Sequence, residues 1–326
     1  MRPSLWPTER LHNAAPSGEL IMSPVGLVPG SNDSAADLCI SQLIENQAKR
    51  IPDAIAIAAP DRTPLTYTRL HRQIDDTVKK LNAMGVGRRD RVALALPNGP
   101  EMATAFLAVA AGATCAPLNP AYQVKEYDFF LADLNPKALI LWSGMDSPAR
   151  VAARERDIPI IELSPVLDAE AGVFALAGDL RLRPVDSGFT QPDDVALVLH
   201  TSGTTSRPKI IPLTHSNICA STHNIRAALE LVRSDRCLNV MPLFHIHGLI
   251  GAVLSSLAAG ASVVCTPGFY APKFFAWMEE FRPTWYTAVP TMHQAILARA
   301  ASSQEIIGRC PLRLIRSSSS RMPSSA

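Results

Sequence analysis

The stretch VALVLHTSGTTSRPKIIPLT, residues 195–214, sets two β-branched runs on either side of a polar turn. VALVLHT (195–201) and IIPLT (210–214) read as strands, with HTSGTTSRPK (200–209) as the tip between them. That tip carries hydroxyls at Thr201, Ser202, Thr204, Thr205 and Ser206, one glycine at Gly203 and a lysine at Lys209. A glycine lets the backbone approach a ligand and turn its N–H groups inward, hydroxyls donate hydrogen bonds, and an ammonium supplies a point charge for phosphate oxygens. GxxxxGK[ST] is absent, and Pro208 before a β-rich run favours a hairpin over a helix N-terminus. A solvated Ser/Thr turn is the other reading of the same composition.

Outward from this hairpin the chain alternates helical periods with short apolar runs. Upstream, Thr66 or Thr68 can cap a helix through LHRQIDDTVKKLNAM (70–84), with Gly85 just past its end. Strand 91–96, helix 99–110, strand 113–117, helix 124–133 and strands 137–141 and 158–162 follow. Downstream come helix 216–231, strand 236–241, helix 248–259, strand 261–265, helix 271–281, strand 284–288, helix 290–300 and strand 312–316. This rhythm predicts an α/β protein with two mostly parallel sheets flanked by helices. Residues 164–193 lose it among Pro165, Gly172, Gly178, Pro184, Gly188 and Pro192. The expected organisation is a loosely ordered leader (1–35), a first α/β subdomain (36–163), a connection (164–193) and a second α/β subdomain (194–326).

Length and composition bound the function. At 326 residues with 47% apolar content, the chain is long enough for more than one subdomain and apolar enough to bury a core. Thirty-one basic against 29 acidic residues leave +2, which argues against nucleic acid as a partner. Gly248 to Cys265 is the most membrane-like stretch, yet Ser255, Ser256, Gly260 and Ser262 interrupt it, so it reads as a buried helix, a turn and a strand, with no stable membrane insertion. Six scattered cysteines without a CxxC pair, and no signal-like start, fit a reducing cytoplasmic setting. His245 and His247 sit two apart and would share a face on a strand, which admits a metal pair. No third ligand lies nearby in sequence, so packed structural histidines or ligand-pocket residues are the competing readings. Phe106, Trp285 and Tyr286 read as core.

The string Thr201–Lys209 closely resembles the phosphate loop of the acyl-adenylate-forming superfamily, [ST]-S-G-[ST]-T-G-x-P-K, with Ser206 in place of the usual glycine. Segments 65–70, 85–102, 108–122, 241–249 and 284–297 look like further blocks of that superfamily in the same order. The resemblance implies an ATP-dependent carboxylate–CoA ligase that makes an acyl-AMP and then an acyl-CoA, with ATP, Mg²⁺ and coenzyme A taking part. It gives Thr201, Ser202, Gly203, Thr204, Thr205 and Lys209 to the ATP phosphates and makes Lys209 and His245 the catalytic candidates. His245, His247, Gly248 and the turn Ser317, Ser318 and Ser319 go to the acyl substrate. The Ser206 form and the paired histidines look most like the oxalate–CoA ligase branch, hence a small carboxylic acid, with coumarate-type and medium-chain acids open. Superfamily members continue through a glutamate block, a hinge and a small lysine-bearing domain. Their absence after RMPSSA (321–326) leads to the expectation of an N-terminal part, inactive or impaired alone, or a nucleotide-binding remnant.

Overall fold

Strand alternation in this protein has two buried faces to serve, and the residue pairs sort accordingly. In the computed structural model, which describes residues 38–178, 186–201 and 208–318, the strands in chain order are β1 (Ile55–Ala58), β2 (Leu65–Thr66), β3 (Arg91–Ala95), β4 (Thr114–Pro117), β5 (Ala138–Trp142), β6 (Ile160–Pro165), β7 (Phe174–Ala177), β8 (Val195–Thr201), β9 (Lys209–Thr214), β10 (Arg236–Asn239), β11 (Ser262–Cys265), β12 (Trp285–Ala288) and β13 (Leu314–Ser317). The helices are α1 (Ile40–Arg50), α2 (Tyr67–Ala83), α3 (Pro100–Gly112), α4 (Val124–Leu134), α5 (Pro148–Glu155), α6 (His215–Ala228), α7 (Ser255–Ala258), α8 (Ala271–Phe281), α9 (Pro290–Ala300) and α10 (Gln304–Arg309). A π-helical segment, His247–Leu254, runs directly into α7.

Seven strands form one sheet in the order β7-β6-β5-β3-β4-β8-β9, and six form another in the order β13-β12-β10-β11-β1-β2. Pairing is parallel except at β6–β7, β8–β9 and β1–β2. Val92 and Leu94 of β3 face one apolar cluster, while Ala93 and Ala95 face another. In the second sheet Cys237 and Trp285 point into the first of these clusters, and Leu238 and Tyr286 into a third that packs on α8 and α9. The result is five layers, helices and sheets in alternation, with α1, α2, α3 and the π segment between the two sheets.

Helix α3 shows why the central layer closes. Every residue from Pro100 to Gly112 is buried, and an all-round apolar helix is stable only where it has protein on every side. It contacts β4 and β8 of one sheet and β11 of the other. Its run of Ala and Gly lets α2 come close, since a β-carbon at Gly112 would sit 3.1 Å from Val78. Helix α2 begins at Thr66, whose Oγ1 accepts from Arg69 N, and ends at Gly85 with φ +86°, as its sequence predicts.

Sheet membership crosses the 164–193 connection in both directions. Strands β1 and β2 join the sheet of β10 to β13, and β8 and β9 complete the sheet of β3 to β7. The boundary drawn in sequence therefore does not coincide with the boundary between sheets, because strand pairing is set by burial across the central layer and not by nearness in the chain. Helices α1, α5 and α10 and strands β1, β2 and β7 also lie outside the sequence reading. The leader, 1–35, falls outside the described residues. The stretch from 248 to 265 divides as predicted, into helix, a turn at Gly260 (φ +72°) and β11. Among the described residues no helix is long and apolar enough to cross a membrane.

Candidate active site

The hairpin forms as its sequence dictates. Strands β8 and β9 pair antiparallel from Val195↔Thr214 to Thr201↔Lys209, so Thr201 and Lys209 are the last matched pair before the tip. Lys209 is exposed there. Ser202, Gly203, Thr204 and Thr205, with Ser206, lie outside the described residues, as does Ser319. One residue inward, His200 Nε2 lies 3.0 Å from Asp133 Oδ2, and its ring stands edge-on to Phe130 at 4.6 Å. That contact fixes the base of the hairpin onto α4.

The second group of residues sits at the carboxyl ends of the six-stranded sheet. From β10 the chain crosses over to β11 on one side, and from β12 it moves to β13 on the other, so the adjacent strands β10 and β12 flank a topological switch point. In open α/β sheets such a point is where loops part and leave a crevice for a ligand. Met241–Ile246 follows β10 as a loop leading into the π segment, in which His247–Leu249 form the first residues, and none of it is strand. His245 and His247 therefore do not share a strand face. His245 is exposed and packs on Phe244 with ring centroids 4.5 Å apart, whereas His247 turns inward.

Two contacts hold this loop. Asn98, in the loop after β3, accepts from Leu243 N at 2.7 Å and donates to Thr266 O at 3.1 Å, tying the two sheets' carboxyl ends together. Gly248 presses on the loop backbone: a β-carbon there would lie 2.4 Å from Pro242 O. Gly248→Ala is expected to lower the unfolding free energy by about 2 kcal/mol through overpacking against backbone that cannot yield. A shift of the urea midpoint with unchanged m checks this; an unchanged midpoint would mean the approach is not tight.

His247 is the hub. Its Nε2 lies 2.5 Å from Thr287 Oγ1 of β12, across the switch point, and Ser318 Oγ lies 2.9 Å from Nδ1 and 3.0 Å from Nε2. Burial, followed by the charge of Arg316 and the nearness of His245 and His293, pushes its pKa down to about 4, so the ring is neutral at pH 7. Burial lowers His245 as well. Strand β13 delivers Ser318 and Arg316: its register pairs Thr287 with Arg316 and Ala288 with Ser317. Alternation places Arg316 on the face of Leu314, toward the π segment, and Ser317 on the opposite, exposed face. Thus the structure brings together His247, Ser318, Thr287 and Arg316, and separates Ser317 from them. Thr287 and Arg316 were not singled out in the sequence. The signal for Arg316 was its i+2 spacing from Leu314, which a reading of LRLIR as a charged edge strand passes over.

The six cysteines are free, and burial raises Cys39 to about 11 and Cys219 to about 12. Phe106, Trp285 and Tyr286 are buried core residues, as read. No group of three His, Cys, Asp or Glu among the described residues could hold a metal ion.

The chain belongs to the AMP-binding enzyme family, whose model matches residues 44–326. It is 43% identical over 291 residues to the oxalate–CoA ligase of Arabidopsis thaliana, covering 87% of this chain and 56% of that protein. It is 36% identical over 282 residues to the oxalate–CoA ligase of Saccharomyces cerevisiae, covering 77% of this chain and 52% of that protein. The ATP-bound structure of MatB from Rhodopseudomonas palustris superposes with a TM-score of 0.71 at 26% identity, over 87% of this chain and 55% of that one. The chain thus spans about half the length of the curated relatives it matches.

Proposed function

We propose that this chain acts in the ATP-dependent activation of a small carboxylic acid, with a dicarboxylate such as oxalate as the preferred substrate and coenzyme A as the final acceptor. The observation that carries the reading is the β8–β9 hairpin, which ends in the matched pair Thr201 and Lys209 around the string TSGTTSRPK. In this reading the Lys209 ammonium holds phosphate oxygens, with Thr201, Ser202, Thr204 and Thr205 donating hydroxyls and Gly203 opening backbone N–H groups. His245, His247, Gly248 and the serines from Ser317 to Ser319 border the acyl group. An ionised carboxylate needs no general base: its oxygen attacks the α-phosphorus, the bond to the β,γ-phosphates breaks, and pyrophosphate leaves. The thiol of coenzyme A then attacks the acyl carbon and AMP departs. The chain's own contribution to the first step is positioning and charge stabilisation. Two oxalate–CoA ligases among its relatives support the choice of acid.

A non-catalytic nucleotide-binding remnant is the competing reading, and ATP–pyrophosphate exchange separates the two. Oxalate-dependent exchange by the chain supports the ligase, whereas ATP binding with no exchange supports the remnant. In either case Lys209→Ala is expected to raise the dissociation constant for ATP about tenfold or more, since a hydrogen bond to a charged group contributes roughly 1.5–3 kcal/mol. Unchanged ATP affinity, measured by calorimetry, would remove Lys209 from phosphate binding.

A further inference from the structure

Most half-buried arginines among the described residues meet a carboxylate, and Arg236 is held instead by Ser262 Oγ and Phe281 O. Arg62 meets Glu101 at 2.8 Å, Arg88 meets Asp194 at 2.9 Å, Arg150 meets Glu162 at 2.5 Å and Arg313 meets Asp235 at 2.5 Å. Arg316 differs. It is half-buried, its Nη1 is sealed from solvent with no hydrogen-bond partner, and no described carboxylate pairs with it. Leaving a buried charged donor unsatisfied is costly, and native folds tolerate it chiefly where something else completes the bond.

The surroundings identify what that would be. Nη1 lies against the π segment, so close that a β-carbon at Gly251 would sit 2.6 Å from it. On the neighbouring strand its register partner is Thr287, and two residues along its own chain is Ser318, both bonded to His247. Because His247 is neutral, Arg316 is the charge of this cluster. A guanidinium with hydroxyls beside it suits a carboxylate, whose two oxygens match its fork. An aliphatic acyl tail would leave Nη1 desolvated and unbonded.

We propose that Arg316, with Thr287 and Ser318 beside it, anchors the second, unreacted carboxylate of a short dicarboxylate and so selects diacids over monoacids. This deepens the ligase reading and rests on it. The geometry assigns Gly251 a part as well: the absence of a side chain there keeps room for the guanidinium.

Calorimetry on the full chain tests the assignment, titrating oxalate and acetate in the presence of α,β-methylene ATP, which cannot react. The wild type is expected to bind oxalate at least tenfold more tightly than acetate. Arg316→Gln should erase that preference and leave the nucleotide's affinity unchanged, while Arg316→Lys should keep part of it. Gly251→Ala, which displaces the guanidinium without removing the charge, should also weaken oxalate; with Arg316→Lys it carries the test if the glutamine variant does not fold. The anchor is overturned if oxalate keeps its advantage in Arg316→Gln, if the wild type shows none, or if the nucleotide is weakened as much as oxalate, which would make Arg316 a phosphate ligand. Failure of the wild type to bind the nucleotide would instead sink the ligase reading itself.

Discussion

Asp235→Ala is expected to cost about 3 kcal/mol or more of stability, the lower end of what breaking a buried ion pair costs, because Arg313 can recover some water. Asp235 is nearly sealed from solvent, and it accepts from Arg313 Nε at 2.8 Å and Nη2 at 2.5 Å, from Thr284 Oγ1 at 2.7 Å and from Val232 N at 2.8 Å. Arg313 also donates to Leu229 O and Glu230 O. This clamp fastens the start of the edge strand β13, and β13 is what carries Arg316 and Ser318 to His247. Burial alone would raise the Asp235 carboxyl; Arg313, the Val232 N–H and Thr284 outweigh it and hold the pKa low. Asp235→Asn, whose single amide oxygen can still accept from Val232 N or Thr284 Oγ1, should cost less than alanine. Chemical denaturation of the three proteins checks the order, and an alanine variant within about 0.5 kcal/mol of wild type, the range of an inert surface change, would show that the clamp holds nothing.

Acid should destabilise the protein well before its carboxylates protonate. His215, fully buried at the start of α6, accepts from Ile40 N through Nδ1 at 3.2 Å. Burial pushes its pKa down to about 4 from 6.5, with Asp194 opposing in part. Above pH 6.5 the ring is neutral in both states. Between 6.5 and 4 the unfolded chain takes up a proton that the folded one refuses, so stability falls as pH falls, by roughly 3 kcal/mol across the window. Lowered carboxylates such as Asp235 add their loss below that range, and His247 adds to the same window. Thermal melts from pH 7.5 to 4 should therefore slope steeply in the wild type and less in His215→Gln, whose amide oxygen can still accept from Ile40. Equal slopes would mean His215 charges freely in the fold.

How much of this was legible beforehand depended on whether the physics was local. Helix α2 was readable because its cap, its apolar stripe and its terminal Gly85 are neighbours in sequence. The β8–β9 hairpin was readable because both strands and the turn chemistry lie within twenty residues. Strand β1 was not, since four apolar residues, IAIA, gain their place in the parallel sheet from Val263 and Val264 of β11, some two hundred positions away. His245 and His247 were singled out as a pair, yet their spacing suggested a shared face that the loop and π segment do not provide.

The sequence by itself determined the alternating α/β class, the hairpin and the hydroxyl-rich string at its tip, because periodicity and turn chemistry are properties of adjacent residues. The tertiary structure decided which strands share a sheet, that His247 rather than His245 turns inward, and that Arg316 joins it while Ser317 faces away. Those outcomes depend on register between distant strands and on burial from both sides of the central layer, and neither quantity exists until the chain has closed on itself.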